Sequence, residues 1–136
     1  MTEESQKNER LNRNPRILIV DDEPDIRTLL ERRLSKSGYI VEVAVNGLHA
    51  LQRMRGGFMP DLVLCDVRMR GMDAVELLAQ VRKDEALKHL PFLIMTAFPQ
   101  RSLIVDATRL GVKEFLLKPF QNEDLEGKIL SILATV

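Results

Sequence analysis

Residues 17–27 read ILIVDDEPDIR, and most of the fold follows from how this stretch is built. Ile17-Leu18-Ile19-Val20 is an unbroken apolar run, followed at once by Asp21 and Asp22. A strand that is apolar at every position has both faces buried, as in a parallel sheet covered by helices on either side. Pro24 suits the first turn of a helix, Ile26, Leu29, Leu30 and Leu34 follow at helical spacing, and Gly38 is a natural stop.

The same strand-then-helix unit recurs along the chain. Ile40-Val41-Glu42-Val43-Ala44 is a second strand, more polar and so suited to a sheet edge. Asn46 can cap a helix carrying Leu48, Leu51 and Met54 that ends at Gly56-Gly57. Leu62-Val63-Leu64-Cys65 is a third strand ending at Asp66. The loop Arg68-Met69-Arg70-Gly71-Met72-Asp73 then leads to a helix with Val75, Leu78 and Ala79 on one face. Phe92-Leu93-Ile94-Met95 ends at Thr96 and precedes a less regular helix near Ser102 to Leu110. Glu114-Phe115-Leu116-Leu117 ends at Lys118-Pro119, and the last helix carries Leu125, Ile129, Ile132 and Leu133. Five βα units predict an α/β, doubly wound parallel sheet; periodicity leaves the strand order open, with 2-1-3-4-5 among the common solutions.

Bulk properties narrow the function. A chain of 136 residues supports one domain. Lys+Arg and Asp+Glu both number 20, so no basic footprint for nucleic acid or an anionic membrane is evident. Apolar runs are far too short for a membrane span, and MTEESQKNERLNRNP lacks the apolar stretch of a secretory signal. The single cysteine, Cys65, excludes an internal disulfide, and a reducing cytoplasm is the simplest home. Apart from Met1, residues 1–14 hold one large apolar residue, Leu11, and are expected to form a flexible tail before a domain over 15–136.

The polar residues that end the strands are the candidate site. In a parallel sheet every strand C-terminus lies at one edge, where ligands bind at the topological switch point. Asp21, Asp22, Asp66, Thr96 and Lys118 should therefore converge. Each alone has an ordinary explanation: a helix cap, a backbone-bonded hydroxyl, a solvated lysine. Together they place three carboxylates, a hydroxyl and an ammonium in one pocket. Clustered carboxylates call for a divalent cation, and oxygen ligands of this kind suit Mg²⁺. A carboxylate can attack phosphorus, and a metal, an ammonium and a hydroxyl stabilise the charge of the transferring group.

These residues resemble a known family. ILIVDDEPDIR at 17–27, LVLCDVRMRGMDAVELL at 62–78, LIMTAF at 93–98 and EFLLKPF at 114–120 look like the receiver domain of two-component response regulators, of the single-domain, chemotaxis-regulator-like kind. The resemblance covers roughly residues 16–134 and implies the flavodoxin-like strand order 2-1-3-4-5. It implies that Asp66 accepts a phosphoryl group from a sensor histidine kinase or phosphotransfer protein, with Mg²⁺ as cofactor. Asp22 would ligand the metal directly, Asp21 largely through water, and the backbone carbonyl of Arg68 would add a further ligand. Thr96 and Lys118 would contact the phosphoryl oxygens, and Phe115 would be the aromatic switch that responds to Thr96. Lys118-Pro119 would be cis. The domain would be no enzyme beyond its own phosphorylation and dephosphorylation. It would signal to a protein partner through the region Arg101 to Val136, as a monomer or a phosphorylation-dependent dimer.

The chain departs from the family's usual Met-Pro-Gly-Met-Asp-Gly, having Met69-Arg70-Gly71-Met72-Asp73-Ala74. Arg68 and Phe98 are expected at the pocket rim, where they would modulate water access to the acyl phosphate. Met69 and Met72 should pack under the loop, Cys65 inside its strand, and Arg82, Lys83 and Lys88 on a solvated face; His49 and His89 have no acidic partners at ligand spacing. A haloacid-dehalogenase-type phosphatase would want an Asp two residues after Asp66, where Arg68 stands. A flavodoxin would want a Ser/Thr/Gly-rich loop where Asp21 and Asp22 lie, and a pseudo-receiver would lack one of the five pocket residues. Either a stand-alone regulator, acting through protein contacts or in a phosphorelay, or a piece of a longer one is compatible with these features.

Overall fold

The computed structural model describes residues 14–135. All but the last residue of the expected tail, and Val136, lie outside the described residues. The strands β1 (Arg16–Val20), β2 (Ile40–Ala44), β3 (Leu62–Asp66), β4 (Phe92–Thr96) and β5 (Glu114–Leu117) alternate with helices α1 (Pro24–Lys36), α2 (Gly47–Arg55), α3 (Ala74–Lys83), α4 (Arg101–Arg109) and α5 (Asn122–Ala134). All strand pairs are parallel and the order is β2-β1-β3-β4-β5. β2 is an edge strand, as its polarity suggested.

Alternation along each strand splits the core into two layers. Leu18, Val20, Val63, Cys65, Phe92 and Ile94 face α2, α3 and α4, meeting Leu51, Leu77, Leu78 and Ala107. Ile17, Ile19, Leu62, Leu64, Leu93, Met95 and Leu116 face α1 and α5, meeting Leu30, Leu34, Leu125 and Ile129. Both faces of β1, β3 and β4 are thus sealed, which is why their sequences show no polar alternation. Burying each Leu or Ile stabilises the sheet by about 1.5–3 kcal/mol relative to leaving it exposed.

Local signals end the helices where expected. Asn46 Oδ1 accepts from the His49 N–H at 2.9 Å, capping α2, and Asp73 Oδ1 accepts from the Glu76 N–H at 2.9 Å, capping α3. At the end of α1, Gly38 takes φ +97 while the Tyr39 N–H reaches Leu34 O and the Gly38 N–H reaches Ser35 O, both at 3.1 Å. A side chain would be strained there.

One surface expectation is corrected. Lys83 is exposed and Lys88 pairs with Glu85 at 2.9 Å, but Arg82 is not on a solvated face. Its Nε donates to Leu110 O at 2.6 Å, and its Nη1 donates to Lys88 O at 3.0 Å and Leu90 O at 2.7 Å. The guanidinium also lies 5.7 Å from the Phe92 ring centroid. A rigid fork of donors suits three main-chain carbonyls from two loops, and this outweighs the cost of partly burying the charge.

Candidate functional site

Register brings the strand-end residues together. Val20 pairs with Ala44 on one side and Cys65 on the other, Asp66 with Met95, and Thr96 with Leu117. The residues that follow these rows therefore share one edge. The pattern continues one step past the strands, where the Asp21 N–H donates to Ala44 O at 3.2 Å, Val67 N–H to Met95 O at 3.0 Å and Lys118 N–H to Thr96 O at 2.9 Å.

Asp21, Asp22 and Asp66 each present a carboxylate oxygen within 4.8 Å of the others. Asp21 is fully buried, and Asp66 and Thr96 are nearly so. Lys118 Nζ lies 2.6 Å from Asp66 Oδ1 and 3.5 Å from Asp21 Oδ2. Burial pushes the Asp21 carboxyl up from its ordinary value; the Glu23 N–H and the Lys118 charge pull it back only in part. Burial pulls the Lys118 ammonium down, but the hydrogen bond to Asp66 and the charges of Asp66 and Asp21 outweigh it and the net shift is upward. The ammonium therefore stays charged, and it is the neutralising partner of the cluster.

The remaining predicted residues fall around this centre. Thr96 Oγ1 accepts from the Phe98 N–H at 3.2 Å, so the hydroxyl sits at the mouth of β4 with its proton free to be donated elsewhere. Arg68 and Phe98 line one cleft with Val67, Asp73, Glu76 and Leu103, to which none of the five clustered residues contributes, and Phe98 is 76% exposed. Phe115 lies beside Ile94, half-buried against the α2–α4 layer. Met69 is buried and Met72 half-buried under the loop. Lys118-Pro119 is cis. Cys65 is fully buried, and burial foremost, with the nearby carboxylates, pushes its thiol well up. His49 has a structural partner, its Nδ1 accepting from the Val45 N–H at 3.1 Å.

Two contributors carried no signal of their own in the sequence. Arg27 Nη1 donates to the Asp21 backbone carbonyl at 2.7 Å, bracing the turn that presents both acids. The Arg70 N–H donates to Asp22 Oδ2 at 3.3 Å. Both act through main-chain atoms, to which side-chain spacing is blind.

A five-stranded 2-1-3-4-5 sheet with this acid, hydroxyl and lysine edge defines a response-regulator receiver domain. The chain matches the response regulator receiver domain family over residues 17–130 and belongs to it. It is similar to chemotaxis protein CheY-3 of Vibrio cholerae, 39% identical over 120 residues that span 88% of this chain and 92% of the relative. Chemotaxis protein CheY of Pseudomonas aeruginosa is 38% identical over 122 residues, 89% of this chain and 98% of the relative. The crystal structure of Vibrio cholerae chemotaxis protein CheY4 superposes with a TM-score of 0.82 at 28% identity, covering 88% of this chain and 98% of that one. Among the described residues, no helix is long and apolar enough to cross a membrane.

Proposed function

We propose that this receiver domain accepts a phosphoryl group on Asp66 from a histidine kinase or phosphotransfer protein and passes the signal on by protein contact. The observation that carries this reading is the nearly buried Asp66 carboxylate, paired with Lys118 at 2.6 Å beside the acids Asp21 and Asp22. An Asp66 oxygen attacks phosphorus, the P–N bond to the donor imidazole breaks, and the imidazole leaves with a proton to become neutral histidine. Lys118 and the Thr96 hydroxyl meet the phosphoryl oxygens as charge moves onto them.

Mg²⁺ fits the donor set, which is all oxygen and in excess of the one ammonium available. Asp22, Asp66 and the Arg68 carbonyl would hold it, with Asp21 behind them. When bound, it neutralises carboxylate charge and orients a phosphoryl oxygen. Arrival of the phosphoryl group draws the Thr96 hydroxyl toward it, and Phe115 turns into the space released. The altered surface then spans Arg101 to Val136, of which Val136 lies outside the described residues. A domain over 15–136 with a tail before it, a cytoplasmic setting, and either a monomer or a phosphorylation-dependent dimer complete the reading.

The test uses acetyl phosphate and Mg²⁺, followed by intact-protein mass. The wild type gains one phosphoryl group and Asp66→Asn gains none. Equal modification of both proteins, or of neither, overturns the assignment.

A further inference from the structure

The chain between Val67 and Ala74 leaves the sheet edge beside Asp66 and returns as α3. Its ends are closed by the Val67 N–H bond to Met95 O at 3.0 Å and the Ala74 N–H bond to Val67 O at 3.3 Å. Between them, Met69 is buried and the Arg70 N–H meets Asp22 at 3.3 Å. This last bond ties the loop to one of the clustered carboxylates. Arg70 itself is exposed, so its side chain adds little packing to hold the backbone there.

A further hold comes from outside the loop. Gly47, the first residue of α2, is buried against Met72. A Cβ at Gly47 would fall 2.8 Å from Met72 Cγ, 2.9 Å from its Cβ and 3.0 Å from its carbonyl oxygen. Gly47 does not adopt a left-handed φ, so backbone conformation does not call for glycine. Helix propensity argues against it as well. What remains is space. Gly127, inside α5, makes the contrast: a Cβ there would meet nothing within 4 Å.

We propose that Gly47 is a positioning residue for the carboxylate cluster. Its bare Cα lets Met72 seat on the start of α2, and this holds the β3–α3 loop where the Arg70 N–H meets Asp22. The inference rests on the reading of Asp22 as a metal ligand in a phosphoacceptor site. The close atoms include the Met72 Cβ and carbonyl oxygen, which no change of rotamer can move. An added methyl therefore displaces the loop backbone, draws the Arg70 N–H off Asp22, and leaves that carboxylate free to turn.

The experiment compares Gly47→Ala, Gly127→Ala and Met72→Ala with the wild type, reading the Arg70 amide by NMR and Mg²⁺ affinity by titration. Gly47→Ala shifts the Arg70 amide and weakens Mg²⁺ binding roughly tenfold, the low end for loss of an outer-shell partner. Met72→Ala, which removes the seated side chain, moves both in the same direction by less, and Gly127→Ala moves neither. A folded Gly47→Ala with the wild-type Arg70 amide and affinity overturns the proposal, as does a Gly127→Ala that matches it. If Gly47→Ala does not fold, an unmoved Arg70 amide in Met72→Ala overturns it. A wild type that takes no Mg²⁺ sinks the functional reading instead, and the Arg70 amide still decides whether Gly47 places the loop.

Discussion

Lys118 Nζ lies 2.6 Å from Asp66 Oδ1, the shortest ion pair of the site and its principal electrostatic tie. The lysine side chain is 19% exposed and the aspartate 12%, so water screens the pair less than a surface bridge. The same ammonium reaches Asp21 at 3.5 Å. This cation thus pairs with two of the three clustered carboxylates and leaves Asp22 without it, and the imbalance has measurable consequences.

A divalent cation should raise stability. With Mg²⁺ at a hundredfold excess over its Kd, unfolding should cost about 2.7 kcal/mol more than in chelator. Asp22→Ala should lose most of that gain. Thermal unfolding with and without Mg²⁺ reads it directly; identical midpoints for the wild type would show that the cluster holds no metal.

The buried acid predicts a pH dependence in metal-free protein. The Asp21 carboxyl is raised from an ordinary 3.8, chiefly by desolvation. In the interval between the unfolded and folded values the native state binds more protons than the unfolded chain, so stability falls as pH rises. This contribution is fully present below 3.8 and is lost as pH passes the folded value. Lys118, raised from 10.5, contributes stability that persists through neutral pH and is lost only above that value. Urea unfolding across acidic pH should show Asp21→Asn lacking the decline seen in the wild type. Parallel profiles would rule out Asp21 as its source.

Arg82 should matter to stability more than a surface arginine. Arg82→Ala leaves Leu110, Lys88 and Leu90 carbonyls without their donor and removes the cation from the Phe92 ring. A loss of about 2–3 kcal/mol is expected, and Arg82→Lys should restore little of it, because an ammonium cannot reproduce the fork. Chemical denaturation checks this; a change within the range of ordinary surface substitutions would contradict the staple.

Arg68 should lengthen the life of the acyl phosphate. Its side chain is exposed two residues after Asp66 and lines a cleft with Val67 and Phe98. Arg68→Ala should dephosphorylate severalfold faster after rapid removal of the phosphodonor. Equal decay rates in the two proteins would end the idea.

How much of this was written in the sequence depends on the range of each interaction. Runs such as Ile17–Val20 and Leu62–Cys65 announced doubly buried strands, because solvent exclusion acts on each residue of a run alike. Asp21, Asp22, Asp66, Thr96 and Lys118 stood out as polar residues that ended those runs. A parallel sheet aligns its strand ends whatever the loops between them do, so their convergence followed from pattern alone. Asn46 was legible as a cap for the same local reason, whereas Asp73, which also proves to be a cap, was read only as the end of a loop.

Tertiary structure decided what depends on distance between segments. The order of the strands, the Arg82 bonds to carbonyls of two loops, the Arg27 brace on Asp21 and the Met72 seat on Gly47 leave no periodic trace. Their partners are main-chain atoms or empty space, which carry no side-chain identity to read. The sequence by itself determined which groups meet at the sheet edge. Only the packed chain determined how far apart they stand and what holds them there, because hydrogen bonding and repulsion change over tenths of an ångström that side-chain spacing does not encode.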